Sequence, residues 1–144
     1  MTEDMKTISR RVAAEGFGQG RLEVLDELVA EDIVNRDETI PPEIPAGRDG
    51  IKALAQGYRT AFPDMDLKVE DQIAEGDKVV TRWSARGTHQ GELMGIPPTG
   101  KEARTTGITI DRIANGQIVE TWTNWNQLSL LQQLGVIPEM ARTT

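Results

Sequence analysis

Apolar and polar positions recur with two different periods along this chain, and the period changes near its middle. From Glu3 to Glu15, the residues Met5, Ile8, Val12 and Ala13 fall near one helical face. Gly16, Gly18 and Gly20 then end that helix. Arg21–Ala30 predicts a second helix, with Leu22, Leu25, Leu28 and Val29 apolar. Ile33–Asn35 reads as a short strand, and Pro41, Pro42 and Pro45 make Thr39–Gly50 a loop. Gly50–Phe62 predicts a third helix through Ile51, Leu54, Ala55, Tyr58 and Phe62, stopped by Pro63.

The second half alternates with period two. Asp66–Ile73 and Lys78–His89 read as strands joined by the turn Glu75-Gly76-Asp77. Gln90–Lys101 carries Gly91, Gly95, Pro97, Pro98 and Gly100 and is a loop or hairpin connection. Glu102–Ile113 and Gln117–Trp125 are strands around Asn115-Gly116, the strongest short hairpin signal in the chain. Gln127–Leu134 closes as a short helix ended by Gly135. Three helices followed by about four antiparallel strands predict an α+β fold, with the helices packed on one face of a curved sheet and a cavity between the layers.

Composition narrows the chemistry. The 144 residues form one domain, 1–144, without linker, repeat or low-complexity tract, and a chain of this size can bury a real core. It holds no cysteine and a single histidine, so thiol nucleophiles and multi-histidine metal sites are out of reach. The net charge of −7, with no basic stripe, argues against nucleic acid. No apolar run exceeds three residues, so neither a membrane helix nor a signal-peptide core is expected, and a cytoplasmic location is the default. No phosphate loop, EF-hand or Gly-x-Ser-x-Gly elbow is present. An enzyme built on this chain works with carboxylates, one imidazole, amides and hydroxyls.

Several segments, in order, then become recognisable. They are Ala61-Phe62-Pro63-Asp64, Glu75-Gly76-Asp77-Lys78-Val79-Val80, Arg86-Gly87-Thr88-His89-Gln90-Gly91 and Gly95-Ile96-Pro97-Pro98-Thr99-Gly100-Lys101. Arg112-Ile113, Asn115 to Trp122 and Leu130-Leu131-Gln132-Gln133-Leu134-Gly135 complete the set. Together they resemble the SnoaL-like polyketide cyclases, also called ester cyclases, of the nuclear-transport-factor-like superfamily. The resemblance implies a cone-shaped α+β barrel of the cystatin-like kind enclosing a pocket. It implies intramolecular aldol cyclisation, or a related isomerisation or tailoring step, on a hydrophobic carbonyl compound. It also implies no cofactor or metal, an aspartate as acid/base, and a homodimer.

One position departs from that pattern. The family commonly has an Asp four residues after the Trp of the last strand, and here that residue is Asn126. An amide can hydrogen-bond an enolate oxygen but cannot remove a proton. A non-catalytic binding domain that kept the pocket is therefore the alternative reading. A hydrolase using an Asp–Arg–Asp arrangement has only Asp111-Arg112 to draw on, and strand neighbours point to opposite faces.

Strand parity ranks the remaining candidates. If Val79 and Trp83 mark the inner face of their strand, His89 points inward near its end. Asp111 lies opposite Ile108 and Ile110. It faces out if those isoleucines pack on the helices, and otherwise enters the pocket, where burial would raise its pKa. Asp111 or His89 is the expected proton carrier. Asn126, with Asn124, is the expected enolate donor, and Trp122, Asn124 and Asn126 share one face. Trp83 and Trp122 are expected as pocket walls, with Asn35 at the mouth and Tyr58 on the third helix also facing the ligand.

Overall fold

The structure is a computed structural model that describes residues 2–138. Its elements run α1 (Thr2–Arg11), α2 (Leu22–Leu28), β1 (Val29–Asn35), α3 (Gly47–Ala61), β2 (Asp66–Glu75), β3 (Lys78–Thr88), β4 (Glu102–Ala114), β5 (Gln117–Trp125) and α4 (Gln127–Gln133). The α+β class and the helix-over-sheet arrangement agree with the sequence reading. The sheet has five strands in the order β1-β5-β4-β3-β2. The added strand is β1, which starts directly at the end of α2 and pairs parallel to β5. Its pattern of two buried, two exposed and one buried residue lacks strict alternation, so periodicity alone shows only its end.

The first helix does not stop at its glycines. After Arg11 the chain continues through Val12–Phe17 as a π-helical turn, capped by Gly18, whose N–H bonds Ala13 O at 2.9 Å. Gly16 lies inside this turn because a Cβ there would stand 2.6 Å from Leu25 Cδ2. The wider turn lets α2 lie against it and leaves Val12, Ala13 and Phe17 facing the sheet.

The hairpin signals hold. Asn115 and Gly116 both have positive φ, 53° and 77°, as a tight hairpin turn between right-twisted strands requires. Gly76 at φ 61° turns β2 into β3. On the helix side of the sheet two apolar clusters form. Val12, Val24, Leu25, Leu28, Val29, Ile33, Ile51, Ala55, Val79, Ile113 and Ile118 make the larger one. Ala61, Phe62, Leu93, Ala103, Leu130 and Leu134 make the second, which brings α4 and the loop after β3 onto the end of α3. The space between the two clusters is the cavity.

The outer face of the sheet carries a row across four strands, Ile73, Val80, Ile110 and Trp122, paired in register. Ile73 is 63% exposed and Ile108, one row away, 48% exposed. The next row is Glu75, Lys78, Arg112 and Glu120, and the Lys78 ammonium stands 5.7 Å from the Trp122 ring centroid.

Two glycines test the packing in opposite directions. Gly107 sits under the Trp83 indole, where a Cβ would lie 2.3 Å from Cζ2. Gly57 is exposed inside α3 with nothing within 4 Å of a Cβ. By urea denaturation, Gly107→Ala is expected to cost about 1–3 kcal/mol. Gly57→Ala is expected to add roughly 0.5–1 kcal/mol. Equal stability of Gly107→Ala and the parent would refute the indole placement.

Candidate active site

Between helices and sheet lies a cavity of about 180 Å³. Its two walls differ in chemistry. The helix side is lined mainly by Val12, Ala13, Phe17, Ile51 and Leu54, while the sheet side adds Thr81, Thr109, Thr121, Thr123 and Trp83 to apolar residues such as Val29, Ile33 and Ile118. That contrast follows from strand content: threonine is a good strand residue that brings a hydroxyl to the wall.

Asp111 is the charged group at the cavity's buried end. Its side chain stands on the inner face of β4, opposite Thr121 of β5, and the residue is only 5% exposed. Ile108 is solvent-exposed instead, so the isoleucines do not pack on the helices and Asp111 takes the inner face. The Thr121 hydroxyl donates to Asp111 Oδ1 at 2.8 Å. The Ser9 hydroxyl, from α1, is close enough to favour the ionised carboxylate, yet it completes no hydrogen bond of ordinary geometry and is itself buried. Burial outweighs both hydroxyls and pushes the Asp111 pKa from 3.8 up to about 6. A carboxyl in that range exchanges a proton near neutral pH, which suits general acid/base work.

Where the cavity meets solvent stand Asn35 and Asp37, both partly exposed. The Asn35 side chain accepts the Asp37 N–H at 3.0 Å. Tyr58 lines the cavity too, edge-on to Trp125 with ring centroids 6.0 Å apart. Burial, and secondarily the charge of Asp37, push its pKa up to about 12, so its phenol is a permanent O–H donor.

Four expected site residues lie elsewhere. His89 is fully buried but not on the cavity wall, because β3 ends at Thr88 and the chain turns out of the sheet. Its Nδ1 accepts the Thr99 N–H at 3.2 Å and lies 3.1 Å from the Thr99 hydroxyl. Its ring packs on Phe62, and its backbone pairs with Gly100 and Lys101, so it pins the loop 90–101 shut on itself. Trp122 and Asn124 are on the outer sheet face. The physical reason is a bulge: β5 pairs in register with β4 at Ile118, and then slips by one residue before Glu120. The slip turns Thr121, Thr123 and Trp125 inward and Trp122 and Asn124 outward. Asn126 starts α4, where its side chain accepts the Ser129 N–H at 3.1 Å. It is exposed and absent from the cavity wall.

Of the expected residues, the fold brings Asp111, Trp83, Tyr58 and Asn35 to one cavity. It adds Ser9, Asp37, Thr109, Thr121 and Thr123, none of which the pattern singled out. The only signal for Thr109 was that it shares Asp111's face. Arg112, next to Asp111, instead pairs with Glu120 at 3.1 Å on the outer face, so no Asp–Arg–Asp arrangement forms around Asp111. Among the described residues, no group of three or more His, Cys, Asp or Glu could hold a metal ion.

Comparison with known proteins adds an independent line. The family profile of SnoaL-like polyketide cyclases matches residues 7–134. Nogalonic acid methyl ester cyclase of Streptomyces nogalater is 29% identical over 122 residues, covering 83% of this chain and 89% of the relative. The crystal structure of IdmH, a candidate polyketide cyclase from Streptomyces antibioticus, is 38% identical, covers 92% of this chain and 99% of its own, and has a TM-score of 0.77. AclR, a candidate hydroxylase from Streptomyces galilaeus, is 30% identical with a TM-score of 0.81, covering 99% of this chain and 87% of its own.

The raised Asp111 pKa has a stability consequence with a definite sign. The native carboxyl keeps its proton to higher pH than the unfolded one, so stability falls as pH rises from about 4 to about 6 and stays lower above that. Asp111→Asn is therefore expected to be the more stable protein at pH 7, by about 3 kcal/mol at most, with the gain vanishing near pH 4. Urea melts at the two pH values check this, and a variant less stable at pH 7 than at pH 4 relative to the parent contradicts it.

Proposed function

The chain belongs to the SnoaL-like polyketide cyclase family, and we propose that it closes a ring in a hydrophobic carbonyl compound by intramolecular aldol addition, with Asp111 as the proton carrier. The observation that carries this reading is a single buried carboxylate on the cavity wall whose pKa is raised to about 6. In the ionised form, Asp111 takes a proton from carbon next to a carbonyl, leaving an enolate. The enolate carbon bonds to a second carbonyl carbon of the same molecule. The oxygen of that carbonyl becomes an alkoxide and recovers the proton from Asp111. Atoms and charge balance within substrate and side chain, and the net reaction is an isomerisation.

The apolar helix wall supports binding of a flat, hydrophobic skeleton, and the hydroxyl-bearing sheet wall supports binding of its oxygens. Nogalonic acid methyl ester, the compound named for the Streptomyces nogalater relative, is the first substrate to assay. The non-catalytic alternative was motivated by Asn126, and that residue caps a helix outside the cavity. It therefore says nothing against a carboxylate that lies elsewhere.

In this assay Asp111→Asn is expected to lower kcat by roughly 100- to 10,000-fold. In the parent, kcat/KM should rise with pH through about 6 and then level, since the ionised form is the base. Thr121→Val removes a donor that favours the carboxylate, so that limb should move to higher pH. An Asp111→Asn variant with parental activity overturns the reading.

We further propose that two copies of this chain pair through the outer sheet face. The Ile73, Val80, Ile110 and Trp122 row is apolar, and the adjoining row carries Glu75 and Glu120 at its ends with Lys78 and Arg112 between them, so the face can meet itself with opposite charges apposed. Light scattering after size exclusion should give a dimer mass for the parent and a monomer mass for Ile110→Lys. A monomeric parent rejects the pairing.

A further inference from the structure

The hydroxyls of Thr109 and Thr123 form a pair on the cavity wall, with their oxygens 3.2 Å apart. The indole N–H of Trp83 donates to Thr109 Oγ1 at 3.1 Å. Gly107, opposite Trp83 in register, leaves the room that lets the indole lie over β4 and reach Thr109. The indole nitrogen can only donate, and each hydroxyl has one proton. These groups thus hold three donor protons and make two hydrogen bonds among themselves. Neither hydroxyl has a further hydrogen bond among the described residues. Whichever threonine donates to the other, one O–H is left over, on a wall that lines the cavity.

The position of this spare donor suits the chemistry at Asp111. Thr109 and Asp111 share the inner face of β4, two residues apart, which is about 7 Å along the strand. A carbonyl compound spans such a gap. Its acidic carbon approaches the carboxylate and its oxygen accepts a hydrogen bond, with each contact about 3 Å long. The Trp83 N–H also polarises Thr109, because chained hydrogen bonds strengthen one another.

We propose that the Thr109–Thr123 hydroxyl pair is the oxyanion station of this cavity, donating to the enolate oxygen of an enolisable carbonyl compound, and that Trp83 is a positioning residue that orders the pair. This rests on the reading of Asp111 as the base, and it replaces Asn124 and Asn126 as the enolate donors.

The test does not require the true substrate. The probe is 4-nitrophenol, whose phenolate imitates an enolate and absorbs in the visible, added at a pH near its own midpoint. Asp111→Asn serves as the parent background, because it lacks the proposed base and its negative charge. The bound probe in this background is expected to be about tenfold more ionised than the free probe, the effect of one hydrogen bond to a charged group. Thr109→Val and Thr123→Val should each abolish most of that excess. Thr123→Ser, which keeps the hydroxyl, should retain it. Trp83→Phe, which keeps an aromatic ring but not the N–H, should reduce it by a few-fold, a change that loss of packing alone does not predict.

Threonine-to-valine variants that ionise the bound probe as strongly as the background overturn the proposal. So does a background that leaves the probe unbound or unshifted. Near-UV circular dichroism confirms that each variant is folded, and Thr123→Ser carries the test if a valine variant is not. Because the readout is made without the Asp111 carboxylate, failure of the acid/base reading and failure of this one give different results.

Discussion

One extra residue in β5 decides what this cavity is. Between Ile118 and Glu120 the strand slips by a single position against β4, so that Ile118 and Thr121 both face inward although they stand an odd three positions apart. Had the ladder run unbroken from the Asn115-Gly116 turn, Asp111 would face Glu120, and two carboxylates would share the inner face. The bulge gives Asp111 a hydroxyl neighbour instead and sends Glu120 out to Arg36 and Arg112. Bulges recur beside active sites because they re-aim side chains without disturbing the rest of a sheet. Here the bulge converts a strained pair of acids into a titratable single one.

The buried end of the cavity is held in a poised rather than a restful state. An ionised carboxylate out of water is costly, and the two hydroxyls near Asp111 offset that cost only in part. The two apolar clusters flanking the cavity supply the stability that tolerates it. The second cluster does more than close one end of the cavity. It gathers α4, the end of α3 and the loop held by His89 into one packed unit, so the chain's single imidazole packs behind the cavity wall rather than on it.

Much of this was legible along the chain. Helical periodicity located α3 through Ile51, Ala55 and Tyr58, and alternation located β2 to β5 within about one or two residues at most ends. Asp111 and Trp83 could be named as candidates because a carboxylate or an indole in mid-strand needs a reason to be there. The parallel strand β1 was harder to see. It runs straight on from α2, and its partner β5 lies far away in sequence. The π-turn was harder still, since Gly16 in a helix makes sense only once Leu25 is packed against it.

By itself the amino-acid sequence determined the class of fold, the hairpin turns, the exclusion of thiol chemistry, and the short roster of groups able to move a proton. Local periodicity and turn chemistry act between near neighbours, so they can be read without the third dimension. Only the tertiary structure decided which of those groups reach the cavity. A strand's alternation states which residues share a face but not which face is covered, and one bulge inverts the answer for everything beyond it. That is why Trp122 and Asn124 lie outside, why Thr121 and Thr123 lie inside, and why Asn126 caps a helix while Asp111 faces the cavity.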